Sequence, residues 1–348
     1  MCLGNDKTIH QNITQNEKYI NNLSFMFNMT KIDNKDLKIL HSLDFNSRMS
    51  FSQLAKRLQM KKETLIYRIK NLEKENIIEN YFVVPNTPKL GLVSFKILIK
   101  YQNLTNNKET EIIEYLKNID EVGWIVKTEG VYDLMCIVWI KNEITFDNFW
   151  SKFLNNYSKY FNKKEFLILT ENHAYKKDYL IKTLNNNSEE VFYRGEAINE
   201  CDEIDNKIIY ELSKDGRISA MDLTKKINLT PEAISNRIRL LKKKNILQTF
   251  RPKINLNKIG YIYYNILINI KDFSIISKLL FYASTQKNIT YFVKYLGKYE
   301  VGMDIEVLSP NKFRKIIEEI RNQFGENITN YDFVRIIDEE KITYGPKL

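Results

Sequence analysis

The sequence is poor in cysteine and histidine, the residues that build disulfides and many metal sites. Its 348 residues include three cysteines and three histidines, scattered along the chain. Without a CxxC pair, the cysteines predict isolated thiols rather than a disulfide framework, and no Cys/His spacing typical of a metal site occurs. A glycine-rich phosphate loop, a nucleophile elbow and a paired carboxylate with a matching base are also missing. We therefore expect no metal, no cofactor and no enzyme activity.

Long apolar runs are missing as well. No segment approaches the ~20 apolar residues of a membrane-spanning helix, and the N-terminus lacks the compact apolar core of a secretory signal. We therefore expect a cytoplasmic protein with no membrane partner. Residues 1–30 are polar and rich in asparagine, and they predict an N-terminal tail.

Positive charge is abundant and unevenly distributed. The net charge is +10. Residues 205–258 carry a net charge of +8 and residues 33–84 one of +3, so the rest of the chain is close to neutral. A generally lysine-rich composition would spread the charge evenly. Two basic segments instead indicate a surface that binds a polyanion.

The most specific local pattern is LTPEAISNRIRLLKKKNIL, from Leu229 to Leu247. Thr230 suits a helix N-cap and Pro231 suits the first helical position. Apolar residues recur at helical spacing and predict a buried stripe, whereas the other face carries groups that reach phosphates and base edges. The stripe is Ile234, Ile238 and Leu241, and the outer face is Ser235, Asn236, Arg239, Lys242 and Lys243. With the short amphipathic helix at 220–227, this pattern predicts a helix-turn-helix; a solvated surface helix is the alternative.

The sequence repeats internally with an offset of 169 residues. Asp36 falls on Asp205, and the match continues without a gap to Gly91 on Gly260. Residues 31–84 accordingly predict a second helical unit, with helices near 35–43 and 62–75, another opening at Ser50, and a wing strand at 77–84. A repeat of this length is typical of a duplication.

Each helical unit is followed by strand and helix patterns in the order β-α-β-β-α-β. The strands fall at 93–101, 122–128, 132–140 and 166–170 in the first copy, and at 261–270, 289–296, 299–307 and 328–337 in the second. This order is the ferredoxin-like arrangement. The predicted fold class is therefore α+β, with two winged helix-turn-helix domains alternating with two ferredoxin-like (βαββαβ) domains.

These patterns also predict the domain boundaries. A winged helix-turn-helix at 31–88 precedes a ferredoxin-like effector and assembly domain at 89–183. The polar stretch at 184–202 is the predicted linker. A second winged helix-turn-helix follows at 203–258, and a second ferredoxin-like domain at 259–348.

In its motifs each copy resembles the Lrp/AsnC family of transcription regulators. The shared features are an Ile-Asp start, an Arg-x-Ser step before the second helix, an Arg-Ile-x-x-Leu core in the third, and a Gly-x-Tyr-Asp/Glu hairpin. They stand at Ile32–Asp33 and Ile204–Asp205, at Arg48–Met49–Ser50 and Arg217–Ile218–Ser219, at Arg68 and Arg237, and at Gly130 and Gly297. Members usually carry one winged helix and one α+β domain, pair through the latter, bind DNA and often respond to an amino acid.

The resemblance implies double-stranded DNA and a free amino acid as partners, and a pseudo-dimer within one chain. Further homo-oligomerisation is an open alternative. It also assigns the effector to the hairpin, although capping of the turn is the structural alternative for Asp133. The hairpin positions are Gly130, Tyr132, Asp133, Gly297, Tyr299 and Glu300.

We expect DNA contacts from the third helix of each copy. In the second copy they are Thr230, Glu232, Ser235, Asn236, Arg239, Lys242 and Lys243; in the first they are Lys61, Lys62, Thr64, Tyr67 and Arg68. The first copy lacks the Thr-Pro start, so its half-site should differ. Weaker DNA binding and a mainly structural role are both open for this copy. Arg237 flanks the apolar stripe and fits a structural ion pair equally well.

Two alternatives share this architecture. A siroheme-decarboxylase-like enzyme would hold a tetrapyrrole with His and Arg side chains of the α+β domain. The histidines fall outside the candidate cavity strands, except that His173 follows the last strand of the first copy. The second alternative is a small-molecule sensor that has lost DNA binding, against which the basic helix argues.

Overall fold

The computed structural model describes residues 30–181, 190–343 and Gly345, and there the chain folds as two copies of one unit. The predicted N-terminal tail lies outside the described residues, apart from Thr30. In each copy, three helices and a strand precede a βαββαβ unit, which confirms the predicted α+β class. Across the described ranges, every helix is too short or too polar to cross a membrane.

The elements follow the same order in both copies. The first contains α1 (Asn34–Asp44), α2 (Phe51–Arg57), α3 (Lys62–Lys74), β1 (Ile78–Pro85), β2 (Val93–Tyr101), α4 (Asn106–Lys117), β3 (Val122–Gly130), β4 (Leu134–Ile140), α5 (Glu143–Tyr157), β5 (Phe161–Tyr175) and β6 (Glu190–Arg194). The second contains α6 (Glu203–Lys214), α7 (Ala220–Thr224), α8 (Pro231–Lys243), β7 (Leu247–Ile254), β8 (Ile262–Ile270), α9 (Ile276–Thr285), β9 (Ile289–Leu296), β10 (Val301–Val307), α10 (Pro310–Phe324) and β11 (Ile328–Ile342).

Local capping sets the ends of the third helix in each copy. The Thr230 hydroxyl accepts an amide of the first turn of α8 at 3.3 Å, and Pro231 occupies that turn, as predicted. Lys61, at the matching position before α3, makes no side-chain capping bond. Both helices are followed by an asparagine with positive φ, 50° at Asn76 and 55° at Asn245. Asparagine tolerates this conformation better than most residues.

The strand predicted as a wing pairs with its counterpart in the other copy. β1 and β7 form one antiparallel ribbon that joins the copies. Each helical unit contacts the ribbon strand of the other copy: Ser47 donates its N–H to the Phe250 carbonyl at 2.9 Å, and Gly216 donates to the Tyr81 carbonyl at 2.6 Å. These bonds match at the offset of 169. A Cβ at Gly216 would approach the Phe82 backbone to 2.9 Å, which favours glycine there.

The two βαββαβ units close into one barrel of eight strands. The strands pair in the order β5-β2-β4-β3-β11-β8-β10-β9, and β9 returns to pair with β5. Helices α4 and α5 cover the first sheet, and α9 and α10 cover the second, each over its own apolar core. The inner faces of the sheets meet across a third core that includes Leu98, Trp139 and Leu267. The predicted pseudo-dimer is therefore present within one chain.

Three elements differ from their predictions where the copies join. β11 ends at Ile342 instead of 337, because its later part pairs with β3 of the first copy. β5 extends far beyond the predicted 166–170, because its first part pairs with β2 and its later part with β9. A register shift between Leu169 and Glu171 marks the change of partner. The predicted linker contains β6, which pairs with the end of β5. Part of this segment therefore belongs to the sheet.

Candidate nucleic-acid interface

The outer face of α8 presents polar side chains to solvent. Ser235, Asn236 and Arg239 are exposed, whereas the apolar stripe of the helix is buried. Arg239 Nη2 donates to Asn236 Oδ1 at 3.4 Å, so both groups lie on the same side of the helix. Thr230 and Glu232 are exposed at its N-terminal end. Amide, hydroxyl and guanidinium groups in this arrangement match the donors and acceptors of the major groove.

The two lysines at the end of α8 have different surroundings. Lys243 is exposed. Lys242 lies against the ribbon, with Nζ 4.8 Å from the centre of the Phe250 ring. Burial, together with the nearby Arg48, lowers the pKa of Lys242. The side chains of both lysines are exposed, so each is placed for a phosphate contact.

Arg68 and Arg237 occupy matched positions and form matched ion pairs. Each guanidinium binds two carboxylates at the start of the first helix of its own unit, at 2.7–2.9 Å. The carboxylates are Asp33 and Asp36 in the first copy, and Asp202 and Asp205 in the second. Arg68, for which a DNA contact was predicted, thus has a structural ion pair, and its DNA contact stays a prediction. Asp33 also matches Asp202, so the two Ile-Asp motifs are three positions out of register with each other.

The exposed face of α3 differs from that of α8. Lys61, Lys62 and Thr64 are exposed at its start, and the Tyr67 side chain is 72% exposed. At the offset of 169, Tyr67 stands where α8 has Asn236. The copies thus retain the residues that make structural contacts and differ on the face that points outward.

Two of the predicted effector residues meet inside the barrel. Tyr132 and Tyr299 are buried, and their hydroxyl oxygens lie 3.2 Å apart across the two copies. Tyr299 also donates to Asp332 at 2.6 Å, and Lys298 donates to the Tyr132 hydroxyl at 3.1 Å. Burial and the bond to Asp332 raise the pKa of Tyr299. This cluster joins the copies at their approximate two-fold axis.

The other predicted effector residues hold the hairpin to the adjacent strand. Asp133 accepts a backbone amide at 2.8 Å and Glu300 accepts one at 2.9 Å. Asp133 also pairs with Lys100 at 2.6 Å. Gly130 and Gly297 have φ of 134° and 135°, in the region that favours glycine. These contacts give the hairpin structural roles, and effector binding there stays a prediction.

A contact between the helical units was missed by sequence reasoning. Arg48 Nη1 donates to the Gly216 carbonyl at 2.8 Å and to the Ile218 carbonyl at 2.9 Å. Its match in the second copy, Arg217, places its guanidinium 4.6 Å from the centre of the Phe51 ring. These contacts join the segments that lead into α2 and α7. The sequence does carry a sign of this contact, because an arginine stands at the matched position of both copies. Sequence reasoning attributes that arginine to the family motif and not to a contact between the units.

These features define a protein with two winged helix-turn-helix units mounted on a closed pair of ferredoxin-like units. Residues 32–79 match a family model described as winged helix-turn-helix DNA-binding, and residues 202–242 match the AsnC-type helix-turn-helix domain. The chain belongs to the Lrp/AsnC family of helix-turn-helix transcription regulators.

Known proteins similar to this chain include shorter archaeal regulators. The HTH-type transcriptional regulator Ptr1 of Methanocaldococcus jannaschii is 33% identical over 111 residues, which cover 32% of this chain and 74% of that protein. An HTH-type transcriptional regulator of Pyrococcus horikoshii is 33% identical over 112 residues, covering 32% of this chain and 75% of the relative. The siroheme decarboxylase NirDL is similar in fold, with a TM-score of 0.55 and 14% identity over 89% of this chain and 93% of that one.

Proposed function

We propose that the chain binds double-stranded DNA in a sequence-selective manner and regulates transcription. The observation that carries the proposal is the outer face of α8, where Ser235, Asn236 and Arg239 are exposed and take no part in the core of their unit. Asparagine and arginine form the commonest bidentate contacts to adenine and guanine. Membership of a regulator family supports the same function.

We further propose that one chain reads two unlike half-sites. The ribbon and Arg48 hold the two helical units together, so α3 and α8 approach DNA as a pair. In this arrangement α8 reads bases, while Lys61 and Lys62 of the first copy contact phosphates. Phosphate contacts add affinity and fix orientation but carry little sequence information.

Fluorescence anisotropy tests the proposal with two DNA duplexes. One is taken from the region upstream of the gene that encodes this chain, and the other has a scrambled sequence. We expect tighter binding to the upstream duplex. Affinity should also fall steeply between ~50 and ~200 mM salt, because lysines and arginines displace counterions from phosphates. Weak and equal binding to both duplexes would contradict sequence-selective recognition.

A free amino acid as effector is supported by the family resemblance. At the hairpin it would have to replace bonds that Asp133 and Glu300 already make to backbone amides. Calorimetric titration with the common amino acids tests the idea. Heats that are flat for all of them would exclude this effector class.

A siroheme-decarboxylase-like enzyme is the alternative function, favoured by the likeness of fold over both copies. Two observations favour the regulator. His173 is bonded on both ring nitrogens, to Glu171 and Glu190. The cavity between the sheets has a volume of about 80 Å³, whereas pockets that bind drug-sized ligands measure ~300–1,000 Å³. We expect added siroheme to keep its free absorption spectrum, and a shifted spectrum would support the enzyme.

A further inference from the structure

A small cavity lies between the inner faces of the two sheets. It encloses about 80 Å³ and is lined by side chains of both copies and of the ribbon. A water needs ~10–15 Å³ of such space, so the cavity has room for about five to eight waters or a ligand of about six non-hydrogen atoms. Its wall combines aromatic and charged groups, among them Lys96, Trp124, Arg251, Tyr263, Tyr295 and Asp304.

Lys96 is a buried cation in this wall. Only 3% of the residue is exposed, and Nζ donates to Asn265 Oδ1 and Tyr295 Oη, both at 3.2 Å. Neither partner is charged, and within the described part of the chain no carboxylate oxygen lies within 4.0 Å of this Nζ. Burial lowers the pKa of Lys96 to about 8, and the charge of Asp304 opposes that shift. A buried charge is costly unless it is paired.

The other cations of the wall do have carboxylate partners. Arg251 binds Asp44 through Nε at 2.9 Å and Nη2 at 3.0 Å. Lys177 pairs with Glu306. At the offset of 169, the residue that matches Lys96 is the neutral Asn265. Lys96, a buried cation without a carboxylate partner, therefore has no equivalent in the second copy. It defines a single, asymmetric site in the pseudo-dimer.

We propose that this cavity binds a small monocarboxylate of about six non-hydrogen atoms, with the carboxylate on the Lys96 ammonium. The ligand would supply the charge-assisted hydrogen bonds that Lys96 lacks. Trp124 and Trp139 line the wall and would pack against its carbon atoms. Asp304, which accepts from Tyr263 at 2.7 Å, would accept from a hydroxyl or amino substituent.

The site meets the first helical unit at Asp44, which accepts from the backbone N–H of the cavity-lining Lys177 at 2.7 Å. Arg251 lines the cavity and binds Asp44, the last residue of α1. Ligand binding itself does not depend on DNA binding.

Tryptophan emission measures occupancy directly, because two of the three tryptophans line the cavity. The third, Trp150 on α5, stacks on Phe146 and is removed by Trp150→Phe in the full-length parent protein. The parent is titrated with acetate, glycolate, lactate, pyruvate, glycine and alanine. We expect saturable quenching by at least one of them, and Lys96→Met should weaken that binding by at least about tenfold.

Lys164→Met is the matched control, because Lys164 is an exposed lysine on β5 and the substitution removes the same charge. It should bind as the parent does. Lys96→Gln retains a polar group and replaces Lys96→Met if the latter does not fold. No saturable quenching by any of the six compounds, or equal affinity in the parent and the Lys96 variant, would overturn the proposal. DNA is not part of this readout, so a failure of the DNA proposal would be seen separately.

Discussion

Arg237 and Arg239 stand two positions apart on α8 and have opposite surroundings. Arg237 is held by the carboxylates of Asp202, the N-cap of α6, and Asp205, in its first turn. Arg239 is exposed beside Asn236. A helix turns by about 200° over two residues, so neighbours at this spacing face different sides. One side chain stabilises the domain and the other is available to DNA.

We predict that Arg237→Met lowers the free energy of unfolding by about 1 kcal/mol, because two partly exposed ion pairs are lost. The ratio of affinities for upstream and scrambled duplexes should not change. Urea unfolding measures the first quantity and anisotropy the second. Arg68→Met is the matched variant in the first copy. A variant of normal stability that no longer discriminates between duplexes would assign Arg237 to DNA instead.

The same ion pairs predict a dependence of stability on pH. The backbone amide of Asp205 and the guanidinium of Arg237 lower the pKa of Asp202. A carboxyl group whose folded pKa lies below its unfolded value of ~3.9 stabilises the fold above that pH, and the contribution is lost as pH falls through the folded pKa. Unfolding free energy should therefore fall below about pH 4, and less steeply in Asp202→Asn. Identical profiles would contradict the assignment.

Arg68 shows what residue-level prediction can miss. Its carboxylate partners lie 32 and 35 residues earlier in the chain, so local helical spacing gives no sign of them. Comparison of the two copies does reveal these partners. Two carboxylates and one arginine recur together at the same offset, which indicates a contact within each copy.

At the scale of elements, predictions succeeded where the chemistry is local. The Thr-Pro start of α8 and the helix that opens at Ser50 are present in the structure. The pairing of β1 with β7 and the two partners of β5 were not predicted. Strand pairing between segments some 170 residues apart depends on tertiary packing, and periodicity within one segment carries no information about it.

A buried ion pair joins the ribbon to the end of α1. Arg251 is 2% exposed, and its partner Asp44 is 0% exposed. Arg251→Met leaves a buried carboxylate without its charged partner, which costs about 3–5 kcal/mol. Urea unfolding should show this loss, and adding Asp44→Asn should recover part of it. A loss below about 1 kcal/mol would show that Asp44 is compensated by its other bonds.

The two recognition helices should respond differently to neutralisation. Lys61→Ala with Lys62→Ala should lower the affinity for both duplexes alike. The slope of log affinity against log salt should also become shallower by about 2, because each lysine contacts a phosphate. Lys242→Ala with Lys243→Ala should weaken binding to the upstream duplex more than the Lys61 and Lys62 substitutions do, because α8 is the helix that enters its groove. Anisotropy over a salt series measures both effects. Equal losses would contradict the unequal roles of α3 and α8.

For the whole molecule, closure of the barrel predicts the oligomeric state. Each ferredoxin-like sheet pairs its outer strand with the other copy, through β3 with β11 and β9 with β5. The strand edges that could otherwise pair with a second chain are thus already paired within one chain. We predict sedimentation as a monomer of 41.5 kDa at all concentrations. Ordered tetramers or octamers would show that a further assembly surface exists.

The whole fold alone does not decide the function, since one architecture serves both regulators and a decarboxylase. The exposed polar face of α8, the His173 ring bonded on both nitrogens and the small volume of the cavity favour a regulator.

The most direct test compares wild type with Arg239→Ala by anisotropy on the upstream and scrambled duplexes at one salt concentration. We predict that wild type discriminates between them. In Arg239→Ala, the loss of one bidentate base contact should reduce that discrimination by about 1–3 kcal/mol, with little change on the scrambled duplex. Equal binding of both duplexes by wild type, or an unchanged ratio in Arg239→Ala, would contradict base recognition by α8.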